Sequence, residues 1–454
     1  MPRLPILFYD AIRRANRRRW VESGGGPTSR ACGAIAKAAA YSDRYSRRDT
    51  IHRYVRRSAV KLEPTSGARL GAPPLLPFQI DVHRSVLADL QHRLRSAQFI
   101  RQERPTRWQG GTDVDYLGEL ARYWSNDFDW WAAQSRLNTY KHFRASIDGV
   151  MMHAVHLPSA GAPGANPIPI MLCHGWPSCF VEQLELAERL SDPARFGADP
   201  ADAFDVVIPS LPGFGYSGLP NAPLTRARMA ELAHGLMHDA FGYSRYATFG
   251  GDIGGGVATW LGSLHAEAVL GVHLIHPPRG VLHDQASLSP AEQQFIDAEA
   301  AYDALDEGYS SIMQTRPDTI ASALIDSPVG LAAWIVDKFR DWADCNGDLE
   351  ARINRDTLLT IITLYWVTGT IRSSFQSYFD YSYNPPHPPI TVPVGVTLSA
   401  EPSERDFPRS LIERVCSDVR FWNEPKRGGH FMPLEEPDLL ARDIRSFYRL
   451  CAAR

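Results

Sequence analysis

The sequence predicts an α/β architecture, a mostly parallel sheet with helices on both faces, and three observations carry it. Short strand-like runs at 150–156, 168–173, 205–209, 246–249 and 270–275 alternate with helical ones at 180–190, 226–241 and 258–265. Such alternation is the pattern of parallel strands joined by crossover helices. The alternation then stops for about a hundred residues, where Phe295, Ala298 and Tyr302, then Leu331, Trp334, Ile335 and Phe339, fall on helical periods. It resumes with strands at 393–398 and 419–422 and a closing helix at 437–451. An all-helical insertion between two sheet strands reads as a lid over the strand ends.

Ahead of the sheet, residues 78–143 read as mostly helical. Val86, Leu87, Leu90 and Leu94 share one helical face, and Tyr116, Leu117, Leu120, Tyr123 and Trp124 repeat the theme before the aromatic cluster Phe128, Trp130 and Trp131. The expected organisation is therefore a basic extension at 1–74, a helical meander at 75–145, a first core segment at 146–281, a helical lid at 282–392 and a second core segment at 393–454.

Composition excludes several classes. With 44% apolar and 22% charged residues in 454, the chain is neither disordered nor fibrous as a whole. No apolar run reaches the roughly 18 residues a spanning helix needs, so no transmembrane segment is expected. The six cysteines lack CxxC spacing, which predicts neither a zinc cage nor a disulfide framework and suits a cytoplasmic setting. Charge is uneven. Residues 1–70 hold 16 Lys+Arg against 5 Asp+Glu, while the remainder holds 32 against 46. An acidic body argues against nucleic acid as a partner. The Arg-rich start fits an organelle transit peptide as well as a solvated extension.

The chemistry is concentrated where strands end. The run Gly250-Gly251-Asp252-Ile253-Gly254 follows the strand 246–249 and opens a helix. It has the shape of the nucleophile corner of α/β-hydrolases, with Asp252 at the nucleophile position. A carboxylate that attacked a carbonyl would leave an anhydride. Attack on a saturated carbon leaves an ordinary ester, which water can cleave. The expected substrate is therefore an electrophilic sp³ carbon with a leaving group, an epoxide or an alkyl halide. His174-Gly175-Trp176-Pro177 follows the strand 168–173, where one oxyanion amide belongs. Trp176 and Ile253 are the expected amides. The base should be His430 in Arg427-Gly428-Gly429-His430-Phe431, between the last strand and the last helix. Its carboxylate partner should follow the strand 393–398, where Glu401 and Glu404 both stand and Asp406 lies further out. An epoxide also needs a proton donor, and the lid offers Tyr302, Tyr309, Tyr365, Tyr378, Tyr381 and Tyr383.

Together these motifs resemble the microsomal-type epoxide hydrolases, the α/β-hydrolase branch with an N-terminal helical meander, over about residues 77–448. Pro77-Phe78-Gln79-Ile80 and the aromatic run from Trp124 to Trp131 resemble that meander. His174-Gly-Trp-Pro177, Gly250-Gly-Asp-Ile-Gly254 and Arg427-Gly-Gly-His430-Phe431 match its oxyanion, nucleophile and histidine motifs. Gly308-Tyr309 and Ser373-Ser374 followed by Tyr378 resemble the sites of its two lid tyrosines. The resemblance implies that Asp252 attacks an epoxide carbon, that Tyr309 and Tyr378 hold and protonate the oxirane oxygen, and that His430 activates water against the ester. His174, Trp176 and Phe431 are then expected beside the substrate. A lipophilic epoxide and water are the expected partners, with no cofactor, no metal and a homodimer left open. The acid departs from the family's pattern, because Leu398-Ser-Ala-Glu-Pro-Ser-Glu404 places Glu401 and Glu404 on either side of the family's position. A dehalogenase on the same scaffold and a catalytically inactive binding protein are the alternatives.

Overall fold

The computed structural model describes residues 72–101, 107–161, 166–278 and 288–452, so residues 1–71 of the basic extension and the expectations attached to them lie outside the described residues. Among the described residues, nine strands form one sheet in the order β1-β2-β3-β5-β4-β6-β7-β8-β9. These are β1 (Leu76–Phe78), β2 (Lys141–Ile147), β3 (Val150–Leu157), β4 (Ile168–Cys173), β5 (Phe204–Ser210), β6 (Tyr246–Gly250), β7 (Val269–Leu274), β8 (Val394–Thr397) and β9 (Val419–Asn423). Strands β5, β4, β6, β7, β8 and β9 run parallel, and β1, β2 and β3 are added antiparallel at one edge.

β1 and β2 correct the expectation of a mostly helical 78–143. Helices Arg84–Arg95, Val114–Asn126 and Trp130–Leu137 lie between these two strands. The second and third are capped by Asp113 and Asp129, whose carboxylates accept from first-turn amides. Phe78 pairs with His142, and His142 with Val155, so the sequence before the meander is stitched to the sheet through β2. Pro77 is tolerated in β1 because that strand is the sheet edge.

The central strands are buried on both faces, as a sheet covered by helices requires. Helix Asp252–Leu264 packs Ile253, Val257, Ala258 and Leu261 inward, and helix Pro437–Ala452 covers the sheet with Leu440, Ile444, Phe447 and Tyr448. Tyr448 clasps the middle of the sheet: Thr248 N–H donates to its hydroxyl, which lies 2.8 and 2.9 Å from the carbonyl oxygens of Thr248 and Gly271.

β4 is flanked by β5 and β6, so the crossovers after β4 and after β5 diverge from it. A crevice opens beyond the carboxyl ends of strands at such a switch point, where open α/β sheets place their ligands. Between β7 and β8, helices Pro290–Asp306, Gly308–Thr315, Pro317–Leu324, Pro328–Trp342 and Arg355–Thr368, with shorter turns to Tyr383, bring aromatic side chains against the residues of this crevice. Among the described residues no single helix is long and apolar enough to cross a membrane.

Candidate active site

Asp252 stands where β6 turns into its helix, with φ at 49°, a left-handed backbone that costs a non-glycine residue about 1–3 kcal/mol. The corner is possible because its neighbours have no side chain. A Cβ on Gly175 would lie 2.6 Å from Oδ1 of Asp252, and one on Gly254 would lie 2.3 Å from the Cys173 carbonyl oxygen. That closeness lets Trp176 N–H donate to Asp252 Oδ1 at 2.9 Å. Ile253 is buried in the first helical turn, where amides point at an anion and the helix dipole favours one.

Of the two carboxylates the sequence leaves open, Glu401 meets the histidine. Its Oε2 lies 2.7 Å from His430 Nδ1, and Ser403 Oγ donates to its Oε1 at 2.8 Å. Glu401 begins the single turn Pro402–Glu404, and Glu404 is also buried, its amide closing that turn on the Glu401 carbonyl. Burial alone would raise the Glu401 carboxyl. The charge of His430 and the hydrogen bonds of His430 and Ser403, with the His276 ring also facing the group, outweigh it and hold it below the usual carboxylate range. Burial would likewise lower His430, but Glu401, Asp252 and Glu182 push it up to about 9. His430 is therefore held toward its imidazolium form.

Of the six tyrosines, Tyr309 and Tyr378 are the two that pack on Trp176, whose amide holds Asp252. Tyr309 stacks on Trp176 with ring centroids 5.3 Å apart, and Tyr378 meets the same indole edge-on at 6.2 Å. Burial, then the Asp252 charge, holds both phenols well above their ordinary value, so both keep their protons. The Tyr365 hydroxyl donates to the Ser178 carbonyl, Tyr302 interacts with Trp342, and Tyr381 and Tyr383 are exposed.

His174 and Phe431 differ from expectation. Both ring nitrogens of His174 are engaged by backbone, Nε2 accepting from Leu211 N–H at 3.1 Å and Nδ1 lying 3.1 Å from the Gly175 carbonyl oxygen. It shapes the loop and has no polar atom left for a substrate. Phe431 is buried, stacked on Phe339 at 4.0 Å and set edge-on against His430 at 4.8 Å. It supports the histidine from behind.

Sequence reasoning missed four residues. Glu435 gathers the amides of Gly429, Phe431 and Asp344 at 2.8–3.0 Å and so fixes the loop that carries His430. Trp342 packs on His430 at 4.7 Å, and its carbonyl accepts from His430 N–H. Glu182, fully enclosed, is pushed up to about 8 by burial, with the His430 charge pulling it back. His276, just past β7, accepts from Asp252 N–H at 2.7 Å. A carboxyl residue five places after His430 and the histidines following buried strands were the signals available.

A carboxylate in a strand-to-helix corner, faced by an acid-held histidine and two phenols, defines the site of a hydrolase. Residues 75–183 match the model described as epoxide hydrolase N terminus, and residues 168–322 match that of the alpha/beta hydrolase fold. The chain is 32% identical to epoxide hydrolase 1 of Sus scrofa over 82% of this chain and 88% of that protein. It is also 32% identical to juvenile hormone epoxide hydrolase 2 of Ctenocephalides felis over 82% and 84%. The structure of Aspergillus niger epoxide hydrolase matches with a TM-score of 0.72 and 29% identity, covering 86% of this chain and 98% of that one. The chain belongs to the epoxide hydrolase family and is an enzyme of the α/β-hydrolase fold.

Proposed function

We propose that this enzyme converts a lipophilic epoxide into a vicinal diol through an ester on Asp252. The Asp252 carboxylate, anchored through Oδ1 by Trp176 N–H, uses its other oxygen to attack a ring carbon. The C–O bond breaks, and the ring oxygen takes a proton from Tyr309 or Tyr378. Trp176, stacked on Tyr309, supplies an apolar wall for the substrate. The phenolate regains a proton as the His430 imidazolium gives one up, and the now neutral His430 removes a proton from water, whose oxygen adds to Cγ of Asp252. The amides of Trp176 and Ile253 take the resulting oxyanion charge. Collapse expels the diol oxygen, which takes the second proton of the added water, so Asp252 is again a carboxylate and His430 again an imidazolium.

The pairing of His430 with Glu401 at 2.7 Å, beside a carboxylate nucleophile, is the single observation that carries this reading. The electrostatics support its order of steps. Asp252 is one of the groups that keep the imidazole protonated, and alkylation turns that carboxylate into a neutral ester. His430 then loses a cause of its raised pKa and becomes a base when a base is needed. The test is a single turnover in water labelled with heavy oxygen. The label is expected in the peptide that carries Asp252 and absent from the first diol; label in the diol with none in the peptide would mean direct attack by water.

A further inference from the structure

We infer that His276 is a positioning residue that ties the nucleophile corner to the acid behind His430, an inference that rests on the ester mechanism proposed above. The backbone amide of Asp252 is the first of its helix, and helix-start amides find no partner within the helix. This one donates to His276 Nδ1 at 2.7 Å. A ring nitrogen that accepts carries no proton, so the neutral imidazole bears its hydrogen on Nε2. Nε2 lies 3.4 Å from Oε1 of Glu401. The two histidines thus divide one carboxylate, His430 holding Oε2 and His276 facing Oε1, with their ring centroids 4.5 Å apart and tilted by 32°.

Each end of His276 has a separate task. At Nδ1 it holds the amide of a residue whose φ of 49° is unfavourable, so the carboxylate stays aimed at the crevice. At Nε2 it steadies the plane of Glu401, and through it the imidazole that must reach water. The backbone next to it leaves little play: a Cβ on Gly251 would lie 2.6 Å from Ile275 and 3.0 Å from His276 Nδ1. The first task belongs to ring opening, the second to ester hydrolysis.

The two tasks separate by substitution, because the amide oxygen of asparagine stands near the place of Nδ1 and the amide nitrogen of glutamine near that of Nε2. Rapid mixing with a chromogenic aryl epoxide, followed by quench and intact-mass measurement, gives the rates of ester formation and decay. In His276→Phe both should fall by about tenfold or more. His276→Asn should recover ester formation but not decay, and His276→Gln should recover decay but not formation. Equal losses in the Asn and Gln variants, or wild-type rates in both, would overturn the assignment, and these two polar variants decide the matter if the Phe variant does not fold. Failure of wild-type enzyme to form the ester would instead remove the underlying mechanism, a result visible in the control arm.

Discussion

Two pairs of histidines, His142 with His153 and His276 with His430, sit in this molecule under opposite electrostatic regimes. His142 and His153 form a chain in the antiparallel edge: Ser210 Oγ lies 2.8 Å from His153 Nδ1, His153 Nε2 3.0 Å from His142 Nδ1, and His142 Nε2 2.8 Å from the Leu137 carbonyl oxygen. The carbonyl accepts, so protons run one way along the chain and both rings are neutral. Burial, with the nearby charge of Arg144, drives His153 well below its ordinary value. His430 is slightly more open, and Glu401, Asp252 and Glu182 raise it to about 9. Burial disfavours the charged form in both places. The presence or absence of carboxylates decides whether a histidine becomes structure or chemistry.

The largest expected effect comes from removing the nucleophile. Asp252→Ala should reduce diol formation below detection while leaving the circular dichroism spectrum unchanged, and NMR titration should find His430 lower than in the wild-type enzyme. An unmoved imidazole would show that Asp252 does not hold its proton. Glu401→Gln comes next. It leaves His430 without its acid, and ester decay should slow by on the order of 10⁴-fold, with the alkylated protein accumulating in the mass spectrum. If decay is unchanged, the contrast between the two histidine pairs has no bearing on turnover.

Replacing both Tyr309 and Tyr378 by Phe keeps every charge of the active pair and removes only the donors. Ring opening should slow by about 10²–10⁴-fold in pre-steady-state measurements, with ester decay little affected. The neutral pair should respond in stability alone. His153→Phe strands the Ser210 hydroxyl and His142 Nδ1, and chemical denaturation should show a loss of about 1–3 kcal/mol at unchanged kcat.

The smallest effects are in the pH dependence of Tm, and they have opposite signs. The folded pKa of His153 lies below the unfolded value of about 6.5, so its contribution is complete above that pH and is lost as pH falls. The folded pKa of His430 is about 9, so its contribution is complete below about 6.5 and is lost as pH rises through 9. His153→Met should flatten the acid limb of the Tm curve and His430→Gln the alkaline limb. A reversed assignment of limbs would break the comparison.

The parallel core and the loop motifs were legible because each leaves a local mark: apolar runs for strands buried on both faces, and glycines wherever backbones crowd Asp252. The edge strands were not. β1 spans three residues around a proline, and β2 buries His142 rather than an aliphatic residue, so its alternation is masked by polar letters. Glu401 and Glu404 stayed indistinguishable because both are buried in one turn and only the tertiary position of His430 separates them. Glu435 and His276 act on backbone amides, and a residue that serves another residue's main chain carries no motif of its own.

The Tyr448 clasp has a consequence for how the protein is made. It joins Thr248 to a residue 200 positions later. At roughly 5–20 residues per second, a ribosome needs about 10–40 s to travel that distance. For that interval the strand bearing the nucleophile has emerged without the helix that covers its face. Nascent chains of this enzyme should therefore bind general chaperones, and translation stalled before codon 448 should leave them sensitive to protease.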